Sequence, residues 1–220
     1  MNTVASRAME DHSPARDLNR SRVMHDLLES VARDGAESQR ARASEFGIAL
    51  GLVNAYLNYC VKKGLIRVRK IPTKRYAYYL TPKGFAEKSR LAVHLVSNSL
   101  QSFRLARQQY VEGFRALSEQ GATRVLLVGL SELTDIATLS AAESGVTLIG
   151  ILAEKDAAHY VGLPVRADIA AFAGGFDAAV ITDLTAPAFS HARVSKFLNP
   201  ERIVLPAILG VQLTQHEAAE

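Results

Sequence analysis

The pattern of apolar and polar residues in the first half of the chain predicts three helices and a hairpin. Apolar residues recur at helical spacing between Asp17 and Gly35, which indicates a first helix. A short helix follows, with Ser38 as its N-cap and an end near Gly47, and a longer helix then stops at Gly64. The segments LIRVRKI and RYAYYLT alternate on either side of a PTK turn, so they predict a two-stranded hairpin with a basic tip.

One long helical pattern extends from Pro82 to about Gly121. At 1.5 Å per residue the helix would span about 55–60 Å, which is longer than a small domain needs. Its apolar stripe favours a partner outside its own globule, and a second copy of the same helix is the simplest one. We therefore predict dimerisation through Leu95, Phe103, Tyr110 and Phe114. The alternative is two helices, broken near residues 97–99 and packed within one chain.

After Gly121 the pattern changes to short β-branched runs separated by helical or loop segments. The runs are RVLLVG, VTLIGIL, DAAVIT and RIVLPAI. Such an alternation predicts βαβ units around a parallel sheet.

The composition limits the classes of protein to which the chain can belong. The chain has 220 residues, of which 48% are hydrophobic, enough to form a core in one large or two small domains. Cys60 is the single cysteine, which excludes an intramolecular disulfide framework and fits a reducing cytoplasm. The sequence has no uncharged apolar run of about 18 residues and no apolar signal-peptide core. We therefore expect a cytoplasmic protein without a membrane partner.

Charge is distributed unevenly along the chain. Residues 1–120 hold 20 Lys and Arg against 11 Asp and Glu, a net charge of +9, whereas residues 121–220 have a net charge of −5. This asymmetry favours a polyanion as the partner of the first half. The alternative is an uneven but solvated surface.

The order of helix, short helix, tight turn, helix and hairpin is typical of a winged helix-turn-helix. In that arrangement a helix enters the DNA major groove, and the hairpin reaches an adjacent groove or the backbone. Helical spacing directs Val53, Leu57, Cys60 and Val61 inward. The residues predicted on the outer face are Gly51, Asn54, Ala55, Asn58 and Tyr59. Asparagine can contact adenine with both ends of its amide. The predicted phosphate contacts are Arg40, Arg42, Lys62, Lys70, Lys74 and Arg75.

The segment from Gly47 to Leu91, GIALGLVNAYLNYCVKKGLIRVRKIPTKRYAYYLTPKGFAEKSRL, resembles MarR-type winged-helix transcriptional regulators. It is especially similar to the group associated with exopolysaccharide genes, which carries GISLG-VN in its recognition helix and YLLTPKG after the wing. The resemblance covers roughly residues 18–95 and implies sequence-specific DNA binding as a homodimer that represses or activates transcription. Ala49 stands where the family often has a capping Ser, so we expect a weaker helix start. The alternative is that this helix pattern serves protein contacts alone.

The segment RVLLVGLSELTDIA is a strand, a Gly-x-Ser turn and a helix. A dinucleotide fingerprint requires G-x-G-x-x-G, and Gly129, Ser131 and Thr134 fill those places here. Ser131 could cap the helix and donate to a phosphate. Glu132 adds negative charge beside that position, which is unfavourable for an anion unless the carboxylate meets a sugar hydroxyl. The fingerprint is therefore degenerate.

Residues 123–184 resemble the nucleotide- or sugar-binding Rossmann-like domains of bacterial sugar acyltransferases, and also CoA-binding-type domains. The shared features are "G-LPV" after the second strand and an "FDAVVI" strand, here GLPV and FDAAVI. The resemblance implies a three-layer α/β domain with a crevice at the strand C-termini and a nucleotide or nucleotide-sugar as effector. The residues it places on the crevice are Gly129, Ser131, Glu132, Glu154, Thr182 and Asp183. The alternative is that Glu154 and Asp183 are ordinary solvated carboxylates.

No catalytic or metal-binding set is evident in the sequence. His159, His191 and Cys60 have no metal-ligand spacing, and no Ser–His–Asp or Cys–His set can be assigned. We expect Cys60 to be a buried structural thiol, with a redox switch as the alternative. No metal and no enzymatic activity are expected.

These observations predict an α/β protein with five regions. They are a mobile arm over 1–16, a winged helix-turn-helix of α+β type over 17–81, a dimerisation helix over 82–121, a Rossmann-like domain with a parallel sheet over 122–212, and a tail over 213–220. The leading interpretation is a homodimeric transcription factor that senses a small metabolite. The alternatives are a Rex-like NAD(H)-sensing repressor, whose glycine-rich loop this chain lacks, a DNA-binding dimer without an effector, and an enzyme with a DNA-binding appendage.

Overall fold

The computed structural model describes residues 14–71, 75–172 and 174–210. The chain divides into Met1–Ser99, called unit 1, and Leu100–Glu220, called unit 2. Unit 1 contains helices α1 (Pro14–Arg33), α2 (Gln39–Phe46) and α3 (Leu50–Lys62), followed by strands β1 (Ile66–Ile71) and β2 (Arg75–Leu80). Helix α4 (Pro82–Glu119) begins in unit 1 and ends in unit 2.

Two boundaries in the structure differ from those predicted from the sequence. Helix α1 starts at Pro14, so residues 14–16 belong to a helix and not to the predicted arm. The rest of that arm, residues 1–13, and the predicted tail at 213–220 lie outside the described residues. Helix α4 is continuous as predicted, but the boundary between the two units falls inside it, after Ser99.

The helices of unit 1 follow from their caps and apolar faces. The Ser38 hydroxyl accepts a hydrogen bond from the Ala41 amide at 3.1 Å and starts α2, as predicted. Gly47 ends α2 with a φ of +63°, a left-handed conformation that glycine adopts without strain. Ala49 gives α3 no side-chain cap, as expected from its sequence. Residues 47–49 therefore form a short turn between the end of α2 and the start of α3.

A buried apolar cluster holds unit 1 together. Its fully buried members are Leu27, Leu28, Val53, Leu57, Cys60 and Ile66. Strands β1 and β2 pair antiparallel, with Ile66 opposite Leu80 and Val68 opposite Tyr78. The Tyr78 amide donates to the Gly35 carbonyl at 2.9 Å, which fixes the hairpin to the loop after α1. The predicted hairpin is thus present and anchored to the helices.

Arg42 was predicted to contact phosphate, and this prediction is wrong because its side chain is fully buried. Its Nε donates to the Ser30 hydroxyl at 2.6 Å, and its Nη2 donates to the Asp34 carbonyl at 2.6 Å. Glu37 lies 3.4 Å from Nε, and the guanidinium stands 5.5 Å from the Tyr78 ring centroid. Burial lowers the pKa of Arg42, and the charge of Glu37 opposes that shift. Arg42 therefore joins α1, α2 and β2 from inside the unit.

Unit 2 is built on a six-stranded sheet in the order β5-β6-β4-β3-β7-β8. The strands are β3 (Arg124–Val128), β4 (Thr147–Leu152), β5 (Ala157–Tyr160), β6 (Leu163–Arg166), β7 (Ala178–Ile181) and β8 (Ile203–Val204). Helix α5 (Glu132–Ala141) follows β3, and α6 (Pro187–Val194) follows β7. All pairs are parallel except β5 with β6. The chain is therefore α/β overall with a mostly parallel sheet, as predicted.

The C-terminal part of α4 packs into the core of unit 2. Tyr110 and Phe114 are fully buried, with ring centroids 6.3 Å apart, and the Tyr110 hydroxyl donates to the Ile181 carbonyl at 3.0 Å. Burial raises the pKa of Tyr110. The prediction that Tyr110 and Phe114 form a dimer contact is therefore wrong, because the core of the same chain already covers both side chains. Of the other predicted positions, Phe103 is 39% exposed and Leu95 is half-buried.

Candidate functional site

The outer face of α3 carries most of the residues predicted to read DNA. Gly51, Asn54, Asn58 and Lys62 are exposed, and Ala55 is half-buried. The Asn58 Nδ2 donates to the Asn54 Oδ1 at 3.2 Å, so the two amides are held one helical turn apart. Val61 was predicted to face inward but is 38% exposed. The structure therefore brings the predicted asparagines together on a solvated helix face.

Tyr59 differs from the other predicted residues of α3 because it is half-buried and packs against the core of unit 1. The Arg20 guanidinium carbon and the Lys63 Nζ each lie 5.7 Å from its ring centroid. Tyr59 also lines a cavity of about 420 Å³ together with Arg20, Lys63, Lys83 and Arg90. Its ring is thus engaged with cations of its own chain.

The hairpin presents more cations than the sequence reasoning assigned. Lys70 is exposed as predicted, and Arg40 on α2 is exposed as well. Arg67 and Arg69 on β1 are also exposed and were missed. The alternation of apolar and basic residues in LIRVRKI is the sequence signal that identifies them. Lys74 lies outside the described residues, and of Arg75 only the backbone is described.

Cys60 belongs to the interior of unit 1. Its side chain is fully buried, and its Sγ lies 3.2 Å from the Met24 Sδ. Burial raises the pKa of the Cys60 thiol to about 12. Because the thiolate is the reactive form of cysteine, the thiol has little reactivity at neutral pH. This environment favours the structural reading of Cys60 over a redox switch.

A crevice of about 340 Å³ opens in unit 2 where β3, β4 and β7 end. The strand order reverses at β3, because β4 lies on one side of β3 in the sheet and β7 lies on the other side. In open α/β sheets, ligands bind beyond the strand ends at such a reversal. Of the predicted residues, Gly129, Glu154 and Asp183 line the crevice. Ser131, Glu132 and Thr182 are not part of its lining.

Gly129 is required by the packing of its own loop. Its φ is +104°, and a Cβ built there would lie 2.4 Å from the Asp183 Cβ and 2.5 Å from the Asp183 Cα. A side chain at this position would therefore collide with the backbone that follows β7. The glycine serves the close approach of two loops, which explains it without a bound pyrophosphate.

The hydroxyl groups of the Gly-x-Ser turn are bonded within the chain. The Ser131 hydroxyl donates to the Thr182 carbonyl at 2.5 Å and accepts from the Leu133 amide at 3.1 Å. Thr134 completes a capping box by accepting from the Ser131 amide at 3.0 Å. Thr182 is fully buried and donates to the Gly129 carbonyl at 2.6 Å. The prediction that Thr182 contacts a ligand is therefore wrong, and Ser131 caps α5 without needing an anion.

Asp183 lines the crevice but is also bonded within the chain. Its Oδ1 accepts from the Thr185 and Ala186 amides at 2.8 and 3.0 Å, and its Oδ2 accepts from the Ser190 hydroxyl at 2.6 Å. The carboxylate thus orders the start of α6.

The remaining crevice lining combines three charged residues, Glu154, Lys155 and Arg193, with an apolar surface. Glu154 and Lys155 are exposed there, and Leu130 and Phe189 are 47% and 60% exposed. Glu132 is exposed in the first turn of α5. This lining therefore offers charged groups of both signs beside an apolar surface.

The part of the chain that the structure describes contains neither a cluster of metal ligands nor a membrane-spanning helix. Within residues 14–71, 75–172 and 174–210, no three His, Cys, Asp or Glu side chains form a group that could hold a metal ion. None of the helices in that part of the chain is both long and apolar enough to cross a membrane.

Comparison with known proteins identifies no family for this chain. No protein-family model matches the chain, and a search of curated proteins gives no match. A solved structure of a protein with unknown function from Listeria innocua Clip11262 matches with 20% identity and a TM-score of 0.32. The match covers 46% of this chain and 66% of that chain, just under two thirds of its length.

Replacing Gly129 with alanine is expected to destabilise unit 2 by about 3 kcal/mol or more, because the new Cβ overlaps the Asp183 backbone. Gly121→Ala is the matched control, since Gly121 also has a positive φ (+75°) but nothing within 4 Å of its Cβ position. That variant is expected to lose about 1 kcal/mol from backbone strain alone. Urea denaturation followed by circular dichroism measures both, and equal losses would contradict the packing role of Gly129.

Proposed function

We propose that the chain is a sequence-specific DNA-binding transcriptional regulator in which residues 17–81 act as a winged helix-turn-helix. The observation that carries the proposal is the pairing, within unit 1, of a solvated helix face with a cationic hairpin. Helix α3 exposes Asn54, Asn58 and Lys62, and strand β1 exposes Arg67 and Arg69. A helix of this kind fits the major groove, and cations beside it neutralise phosphates.

The resemblance of residues 47–91 to MarR-type regulators supports the same proposal and suggests polysaccharide genes as targets. A helix that binds only protein does not require a cationic hairpin beside it, whereas a helix in the major groove lies next to phosphates. The net charge of +9 in residues 1–120 favours a polyanionic partner.

The double variant Arg67→Gln/Arg69→Gln is expected to weaken DNA binding and to lower the slope of log affinity against log salt by about 2, since each phosphate contact contributes about 0.9. Arg104→Gln/Arg115→Gln is the matched control, because it removes two exposed cations from α4. Fluorescence anisotropy over a salt series measures both on a duplex enriched from a random library by the full chain. If both pairs change the slope equally, the hairpin has no special role.

We also propose that two copies of the chain associate through α4. Helix α4 exposes an apolar row, Val93, Val96, Leu100 and Phe103, with spacings of three, four and three residues. This is the spacing that lets two helices pack along a common seam. The row replaces the predicted contacts at Tyr110 and Phe114, and it retains Phe103. A dimer would present two copies of α3 to half-sites about 34 Å apart on DNA.

Leu100→Glu is expected to convert the protein to a monomer at micromolar concentration, because it places a charge in the seam. Leu105→Glu is the matched control, since Leu105 is 49% exposed on the same helix but lies outside the row. Sedimentation equilibrium distinguishes the two variants. A monomeric native protein, or a dimer that Leu100→Glu leaves intact, would contradict the proposed seam.

For unit 2 we propose the binding of a small effector in the crevice, of the nucleotide or nucleotide-sugar class. The crevice volume, the position at the strand reversal and the Rossmann-like resemblance support this proposal. Glu154 is the residue we assign to sugar or ribose hydroxyls, and Phe189 offers an exposed ring to a planar group.

A thermal melt with NAD(H), CoA, nucleotides and nucleotide-sugars tests the effector. A ligand at 100 times its Kd is expected to add about 2.7 kcal/mol of stability. Glu154→Gln is expected to reduce that effect, whereas Glu201→Gln, an exposed carboxylate outside the crevice lining, should leave it unchanged. A response to NAD(H) alone would favour the Rex-like alternative, turnover of a nucleotide-sugar would favour an enzyme, and no response would favour a ligand-independent dimer.

A further inference from the structure

Helix α3 has few kinds of hydrogen-bonding side chain on its exposed surface. Its exposed residues are Leu50, Gly51, Leu52, Asn54, Asn58, Val61 and Lys62. The helix contains no arginine, aspartate or glutamate, and its one lysine is its last residue. Asn54 and Asn58 are therefore the exposed polar side chains available over its first two and a half turns.

The few polar side chains on α3 limit which bases the helix can recognise, because each base presents different groups in the major groove. Asparagine pairs with adenine through N6 and N7, and apolar side chains contact the thymine methyl group. Guanine is read by arginine or lysine, and cytosine by glutamate or aspartate. The exposed part of α3 thus has the groups that read adenine and thymine and, ahead of Lys62, lacks those that read guanine and cytosine.

The hydrogen bond between the two asparagines preserves their capacity to read bases. Asn58 donates one N–H of its Nδ2 to the Asn54 Oδ1 at 3.2 Å. It keeps its second N–H and its carbonyl oxygen, the donor and acceptor that adenine requires. Asn54 keeps both N–H groups and a second lone pair on its oxygen. The contact therefore orients the two amides and leaves each able to bind a base.

The spacing of the two asparagines along the helix matches base pairs about two steps apart. Four residues correspond to a rise of about 6 Å along the helix. Base pairs follow one another at about 3.4 Å per step. Two contacts made one helical turn apart along the groove would therefore fall about two base pairs from each other.

We propose that α3 reads a half-site centred on A·T pairs, with Asn54 and Asn58 on adenines about two base pairs apart and Leu50 and Ala55 against thymine methyl groups. This inference rests on the proposed DNA-binding function. Lys62, at the end of the helix, and the cations of β1 contact phosphates and set affinity without choosing the sequence.

The experiment starts with selection of duplexes from a random library by the full chain. The expected result is an enriched half-site with A·T pairs at two fixed positions about two base pairs apart. Invariant G·C pairs at the centre of the half-site would overturn the inference while leaving the DNA-binding proposal standing. Failure to enrich any duplex would overturn the DNA-binding proposal itself, and the inference with it.

Base analogues then test the contacts atom by atom. Replacing the selected adenines with 7-deazaadenine removes N7 and keeps Watson–Crick pairing, and we expect the native protein to lose about tenfold in affinity. Asn54→Ala/Asn58→Ala should bind the natural and the 7-deaza duplex equally, whereas the control Asn98→Ala on α4 should behave as the native protein. Uracil in place of thymine should also weaken binding. Unchanged affinity of the native protein for the 7-deaza duplex would overturn the inference.

Discussion

Both hydrophobic cores of the protein depend on one helix. Near its start, α4 contributes Leu91 to the core of unit 1, and further on it contributes Tyr110 and Phe114 to the core of unit 2. Between these contacts, the residues from Val93 to Phe103 expose apolar side chains to solvent. Each end of the helix is therefore held by the core of its own unit.

The local structure of the chain was largely predictable because it follows from local chemistry. Ser38, Gly47 and the uncapped Ala49 set the ends of α2 and α3, and the alternating runs set the hairpin and the parallel sheet. The predictions that failed concern residues whose contacts are made by residues far away in the sequence. Arg42 looked like a surface cation, but Ser30, Asp34 and Tyr78 surround it in the fold. Likewise, the stripe at Tyr110 and Phe114 fits either a second helix or the chain's own core, and spacing alone does not distinguish them.

The two candidate sites differ in how well sequence reasoning identified them. On α3 helical spacing predicts the exposed Gly51, Asn54 and Asn58, and it fails at Val61, which is exposed rather than buried. In unit 2 the residues follow from a degenerate fingerprint, and internal hydrogen bonds occupy Ser131, Thr182 and Asp183. Gly129 is explained by its approach to Asp183. The strand, turn and helix of RVLLVGLSELTDIA therefore form a self-capped structural unit, and Glu154, Lys155 and apolar side chains make up the exposed lining of the crevice.

Photo-cross-linking would show whether α3 touches bases. An enriched duplex carrying 5-iodouracil at single thymine positions is irradiated with the full chain, and mass spectrometry identifies the attached peptides. We expect attachment to peptides from Leu50–Lys62, with flanking positions reaching the hairpin. Attachment confined to peptides of unit 2 would show that α3 does not contact bases.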